Sequence, residues 1–183
     1  MSARGFLPAA IAAALALTAP SARAADGVAL STRTPEFAAG LPEGWSPRAE
    51  ANALLFAGPS DENRIRSSIV VRYYPPGADG FADADAYVKR QSSPSIFDAA
   101  DAKPAVVSPA EAAGRKARRI VKELTKTADP GKMNSREIPS REELLVVEGK
   151  RGFYVLSYAA PVSLFGRNRP AFVAVLKAFK PLK

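Results

Sequence analysis

The chain has 183 residues, 47% of them hydrophobic and 24% charged, with 26 basic against 18 acidic side chains and neither cysteine nor histidine. The two absences exclude disulfides, thiolate nucleophiles, imidazole bases, Ser-His-Asp and Cys-His machinery, and nearly every transition-metal site built from protein nitrogen or sulfur. The net charge of +8 is uneven: residues 25–113 carry 8 basic and 12 acidic groups, residues 114–183 carry 16 and 6. That polarity points to a negatively charged partner or surface, or to a solvated basic face that only aids solubility.

Residues 1–24 hold Arg4, an Ala/Leu-rich apolar core over residues 5–19 and the small-residue ending Ala22-Arg23-Ala24, the pattern of a secretory signal peptide cut after Ala24. The competing reading, a membrane anchor, is disfavoured because the apolar core is shorter than the roughly 20 residues a span requires and contains Pro8. The expected location is therefore periplasmic or secreted. The remaining 159 residues (183 − 24) suit one domain, residues 25–183, without repeats or a Gly/Ser-rich linker.

Along the mature chain, residues 28–32 read as a first edge strand before Pro35. Leu41-Pro42-Glu43-Gly44-Trp45 reads as a turn, with the single tryptophan capping the core or, alternatively, serving as a binding anchor. Residues 52–57 and 65–74 read as a strand pair. Residues 83–91 read as a short helix burying Ala84, Tyr87 and Val88, led by acids and trailed by Lys89 and Arg90 as the helix dipole prefers. Asp79, Asp83 and Asp85 lack the ligand order of a calcium loop and fit N-terminal helix charge better. Residues 92–107 read as a long loop ending in a short strand near Ala105.

Residues 108–128 support two readings. Ser108, Pro109 and Glu111 look like an N-cap, a first-turn proline and a capping-box acid, and Ala113, Ala117, Ile120, Val121, Leu124 and Ala128 share one helical face. Arg115, Arg119, Lys122 and Lys126 fall opposite, as in a helix that binds membranes or polyanions. Residues 142–148 and 153–158 are rich in β-branched and aromatic side chains and flank Gly149-Lys150-Arg151-Gly152, a hairpin connection. In the second run both faces are apolar, which places it in the middle of a covered sheet. A closing helix, opened by Pro170, presents Phe172, Val175, Leu176 and Phe179 as one stripe.

No glycine-rich phosphate loop, Gly-x-Ser-x-Gly elbow or Ser-x-x-Lys dyad is present. Glu142, Glu143 and Glu148 are the remaining carboxylate candidates, but adjacent strand residues point to opposite faces and exposed glutamates are usually just solvated. The sequence thus names no catalytic, cofactor-binding or metal-binding residue, and its candidate partner-binding residues are Trp45, Arg115, Lys116, Arg118 and Arg119. Nucleic acid is an unsuitable partner, since the compartment is wrong and the aromatics belong to the core.

The ordered set Leu41-Pro42-Glu43-Gly44-Trp45, Tyr73-Tyr74, the Tyr87 helix, Gly114-Arg115-Lys116-Ala117-Arg118-Arg119, the run from Gly152 to Pro161 and the terminal Phe172, Val175, Leu176 and Phe179 resembles the PsbP/Mog1-like (DcrB-like) family. The resemblance implies an α+β fold, an antiparallel β-sheet flanked by helices in an α/β/α sandwich. It carries over only fold-bearing residues: Gly44, Trp45, Gly114, Phe153, Tyr154, Tyr158, Phe172 and Phe179. It also implies that residues 114–125 form a strand, against the local periodicity, and we side with the strand because tertiary context overrides propensity. Members of that family dock on or help assemble other proteins, one class at the photosynthetic water-splitting complex and another at a small GTPase. The expected role is therefore docking on another envelope protein, with two alternatives: binding anionic lipid or surface polymer through a basic patch, or carboxylate-dependent hydrolysis.

Overall fold

The computed structural model describes residues 28–50, 52–94, 103–128, 131 and 135–183. The signal peptide read over residues 1–24 and the middle of the long loop, residues 95–102, lie outside the described residues. The elements in chain order are β1 (Val28–Arg33), β2 (Phe37–Pro42), β3 (Ser46–Glu50), β4 (Ala53–Ser60), β5 (Arg66–Tyr74), α1 (Ala84–Ser92), β6 (Val106–Ala112), β7 (Arg115–Thr127), β8 (Glu137–Glu148), β9 (Phe153–Pro161), α2 (Val162–Ala178) and β10 (Lys180–Pro181). Seven strands pair antiparallel in the order β3-β4-β5-β9-β8-β7-β6, and β1-β2-β10 form a small second sheet. The fold is α+β, an antiparallel sheet flanked by helices.

The two-sided apolarity of β9 explains its central position between β5 and β8. Phe153 and Val155 face α1 and pack with Tyr74, Phe81, Tyr87, Val88, Ile120, Leu144 and Val146. Tyr154, Leu156 and Tyr158 point the other way, into a larger core that holds Phe37, Trp45, Phe56, Leu145, Phe165, Phe172 and Phe179. On that side α2 lies over β9, β8 and β5 and against β1 and β2. These are called below the α1 face and the α2 face.

The helical reading of residues 108–128 is overturned. Ala113 and Gly114 both have positive φ, 52° and 69°, the backbone of a two-residue hairpin turn, and they join β6 to β7. Ser108, Pro109 and Glu111 lie in the edge strand instead of capping a helix. Pairing with β8 along eleven residue pairs, from Ala117↔Val147 to Thr127↔Glu137, gives β7 a partner that a lone amphipathic helix would not have had. The strand over residues 114–125 is thus seen, with bounds at Arg115–Thr127.

The closing helix starts at Val162, not at Pro170, which sits in its interior. A proline there forfeits a backbone hydrogen bond and normally costs about 3 kcal/mol. Phe165 offsets that cost. It is 8% exposed, packs on Tyr158 with ring centroids 4.8 Å apart, and its carbonyl accepts the Tyr158 hydroxyl at 2.8 Å. Phe179, expected within the helical stripe, lies just past the helix end and is still buried.

Two smaller expectations resolve locally. Asp83 is the N-cap of α1, accepting the Ala86 N–H at 2.8 Å. Trp45 is buried, its indole laid so tightly on Gly58 that an added Cβ would meet the ring at 2.6–2.7 Å. β2 and β3 were not read from the sequence. Both edges of the large sheet, β3 and β6, carry a proline, Pro47 and Pro109, which blunts strand addition.

Candidate functional site

Adjacent residues of β8 alternate across the sheet, so Glu142 projects to the α1 face and Glu143 to the α2 face. Glu142 is half-buried and pairs with Lys122 at 3.1 Å. Glu143 is 2% exposed, against the expectation that these glutamates are solvated. Its burial is possible because two arginines meet it. Arg119 of β7 donates through Nε to Oε1 at 2.6 Å. Arg169 of α2 donates through Nε to Oε2 at 2.8 Å and through Nη2 to Oε1 at 3.0 Å. Tyr158 stands opposite Glu143 on β9.

Burial pushes the Glu143 carboxyl up, but the hydrogen bonds from Arg169 and Arg119 and their charges outweigh it, and the net shift is downward. The bond to Glu143 raises Arg169 in turn. Burial, aided by the charge of Glu143, raises the Tyr158 hydroxyl. Glu143 is therefore an ionised, doubly engaged carboxylate at neutral pH. A general acid would have to be protonated, and a nucleophile would need a free oxygen.

Around this clamp the α2 face continues as a second ion pair. Arg141 donates Nη2 to Glu123 Oε1 at 3.2 Å and lies over the Phe165 ring at 5.4 Å, and Lys103 Nζ reaches Glu123 at 3.3 Å. The hydrogen bonds from Arg141 and Lys103 hold the Glu123 carboxyl below its ordinary value. Among the described residues no group of three or more carboxylates is placed to hold a metal, and no helix is long and apolar enough to cross a membrane.

The four basic candidates are divided by the pleat of β7. Arg115 and Arg119 share the α2 face; Lys116 and Arg118 share the other. Arg115 donates to the carbonyls of Glu148 at 3.3 Å and Lys183 at 3.1 Å. Arg118 is salt-bridged to Asp85 of α1. Lys116 is exposed, directly across from Glu111 of β6. Trp45 lies at the far side of the sheet, beside β4, and is not brought together with them. The residue that sequence reasoning missed is Arg169, hidden because the sequence reading opens the closing helix at Pro170, one residue after it, whereas the helix starts at Val162. The signal was Phe165 and Phe172, seven apart, which continue the apolar stripe one turn on either side of it.

No family model matches this chain, and no curated protein is similar to it. Among solved structures it is similar to the cyanobacterial PsbP of Synechocystis sp. PCC 6803, with 10% identity over 90% of this chain and 98% of that one, TM-score 0.48. It is also similar to the Ran-binding protein Mog1p of Saccharomyces cerevisiae, with 10% identity over 79% of this chain and 89% of that one, TM-score 0.44. A third is LpqN of Mycobacterium tuberculosis, described as involved in cell envelope biogenesis, with 14% identity over 79% of this chain and 82% of that one, TM-score 0.47. The chain spans 45% of a Bacteroides thetaiotaomicron structure that it matches at 12% identity over 80% of its own length, TM-score 0.47.

Proposed function

We propose that this is an exported, noncatalytic protein of the PsbP/Mog1-like kind that docks on, or helps assemble, another protein of the cell envelope. The observation that carries the reading is the state of Glu143: the one deeply buried carboxylate among the described residues is ionised and clamped by two guanidinium groups. It ties β7, β8 and α2 together, in a chain that has no histidine or cysteine to do chemistry in its place. Buried charge used in this way fixes one arrangement of elements and leaves the surface to do the binding.

Two measurements test this together. Cross-linking of the full-length chain in its own envelope, followed by affinity capture, is expected to return one protein in constant, near-stoichiometric amount. A broad hydrolase substrate panel is expected to show no turnover that falls on Glu142→Gln, Glu143→Gln or Glu148→Gln. A substrate whose turnover drops tenfold or more in any of these variants, with the fold intact, overturns the reading.

A further inference from the structure

The α2 face of the sheet is covered unevenly. Helix α2 closes it over β9, β8 and β5, but where the same face runs on beyond Arg169 across β7 to β6, no helix among the described residues packs above it. The floor there is built of small side chains: Ala117 is buried, Ser108 and Ala110 are half-buried, and Val106 at the end is 65% exposed. The wall is the flank of α2 that carries Arg169, Pro170, Val173, Ala174 and Lys177, a stretch with two cations and no carboxylate. Because α2 packs over β8 and the sheet continues beside it through β7 to β6, the helix flank stands as a step above the sheet margin, and the channel along its foot is called the trough below.

At the corner of floor and wall sit Arg119 and Arg169, side chains 38% and 41% exposed. Both arginines spend their Nε on Glu143, and Arg169 one terminal nitrogen besides. The other terminal nitrogens, both of Arg119 and one of Arg169, have no protein partner among the described residues. Two guanidinium groups against one carboxylate leave a net charge of +1, held in a fixed orientation. Pre-orientation is what a guanidinium needs to bind a second carboxylate without losing further side-chain entropy.

We propose that this trough is the docking site for an acidic segment of the protein partner, its carboxylate received by Arg119 and Arg169 and its small apolar side chains laid on Ala110 and Ala117. The proposal rests on the docking function above and names the chemistry of what docks. Charge complementarity selects an acid, because the wall carries cations alone. Pro109 interrupts the outer row of β6, so the segment lies on the face of the hairpin and does not extend the sheet by a strand. A membrane is a poor occupant: of the large exposed apolar side chains among the described residues, Val106 and Val107 point to opposite faces of β6, and Val162 and Leu182 lie elsewhere in the chain.

The test places a photoreactive benzoylphenylalanine at Ala110, and as controls at Lys89 on α1 and Arg48 on β3, in the full-length chain in its own envelope. The expected result is one protein adduct at position 110 whose cross-linked peptide carries Asp or Glu within a few residues of the junction. Its yield should fall tenfold or more in Ser108→Asp and in Lys177→Glu, which add negative charge to the trough without touching Glu143. Arg169→Gln should abolish it, with Arg169→Lys recovering part, and circular dichroism reports whether each variant is folded. An adduct at the controls but not at 110, or one at 110 indifferent to the added charge or lacking acids, overturns the trough and leaves docking standing. A lipid adduct at 110 also overturns it. No protein adduct at any of the three positions overturns the trough, and an empty affinity capture beside it overturns docking as well.

Discussion

The two faces of the large sheet are closed by different means, and neighbouring glutamates of β8 show it. On the α1 face the cover is a nine-residue helix packed against β7 and β8 and an aromatic stack, with Tyr74 and Phe153 rings parallel at 4.9 Å. Glu142 there stays half wet and pairs with a single lysine. On the α2 face a 17-residue helix and the small sheet shut the interior, and Glu143 beneath them is supported by two arginines from different elements. A carboxylate one residue further along the same strand needs a second cation because water no longer solvates it. Desolvation decides how much partner a charge requires.

The largest expected effect lies on the α2 face. Phe172 is fully buried, stacked on Tyr158 at 5.6 Å. Phe172→Ala should cost about 3–5 kcal/mol, read as a lowered denaturant midpoint. Phe81→Ala, on the α1 face and 7% exposed, should cost less. Equal losses would break the distinction between the two faces.

Glu143→Gln comes next, at about 2–4 kcal/mol, below the full cost of an orphaned buried charge because both arginines still reach solvent. It also changes the pH dependence. The folded-state pKa of Glu143 lies below its unfolded value, so its contribution is fully present above about pH 4.3, the unfolded value, and is lost as pH falls through the folded one. The wild-type acid limb should therefore be steeper than that of Glu143→Gln, with the two stabilities converging toward low pH. Parallel curves down to pH 2 would mean that the clamp does not hold the carboxyl low.

What the sequence revealed and what it hid divide along the same line. The central place of β9 was legible because Phe153 and Val155 against Tyr154, Leu156 and Tyr158 is a local alternation. The Glu143 clamp was not, because its partners lie 24 residues before and 26 after it, and one of them sits in a segment with two helix breakers. Residues 108–111 misled in the opposite sense: Ser, Pro and Glu at capping spacing serve equally well in a proline-bearing edge strand once Ala113 and Gly114 turn the chain. β3, exposed along all five residues, has no burial pattern to read and is a strand only through its pairing with β4. The partner-binding residues were named as a set, and the pleat of β7 then assigned them to two faces.

A smaller effect probes how far the α2-face core reaches. Gly58→Ala would drive a methyl group into the Trp45 indole, with ring atoms 2.6–2.7 Å from the new Cβ. The expected loss is about 1–3 kcal/mol, with red-shifted emission from the chain's single tryptophan as the ring moves toward water. A stability loss without a spectral change would mean that β4 yields and the indole does not.

The smallest effect is the control for the comparison itself. Glu142→Gln removes a carboxylate one position from Glu143, on the same strand and with the same covalent change, but from a side chain that is 21% exposed and paired with one lysine that is 26% exposed. A pair with that much solvent is worth about 1 kcal/mol or less, and added salt should shrink the difference further. Lys126, on the same face and held below its ordinary pKa by burial, shows that desolvation acts there too, so the loss need not be zero. If Glu142→Gln matched Glu143→Gln in both size and salt insensitivity, strand position would be setting the cost of losing a charge, and the argument from unequal cover would fail.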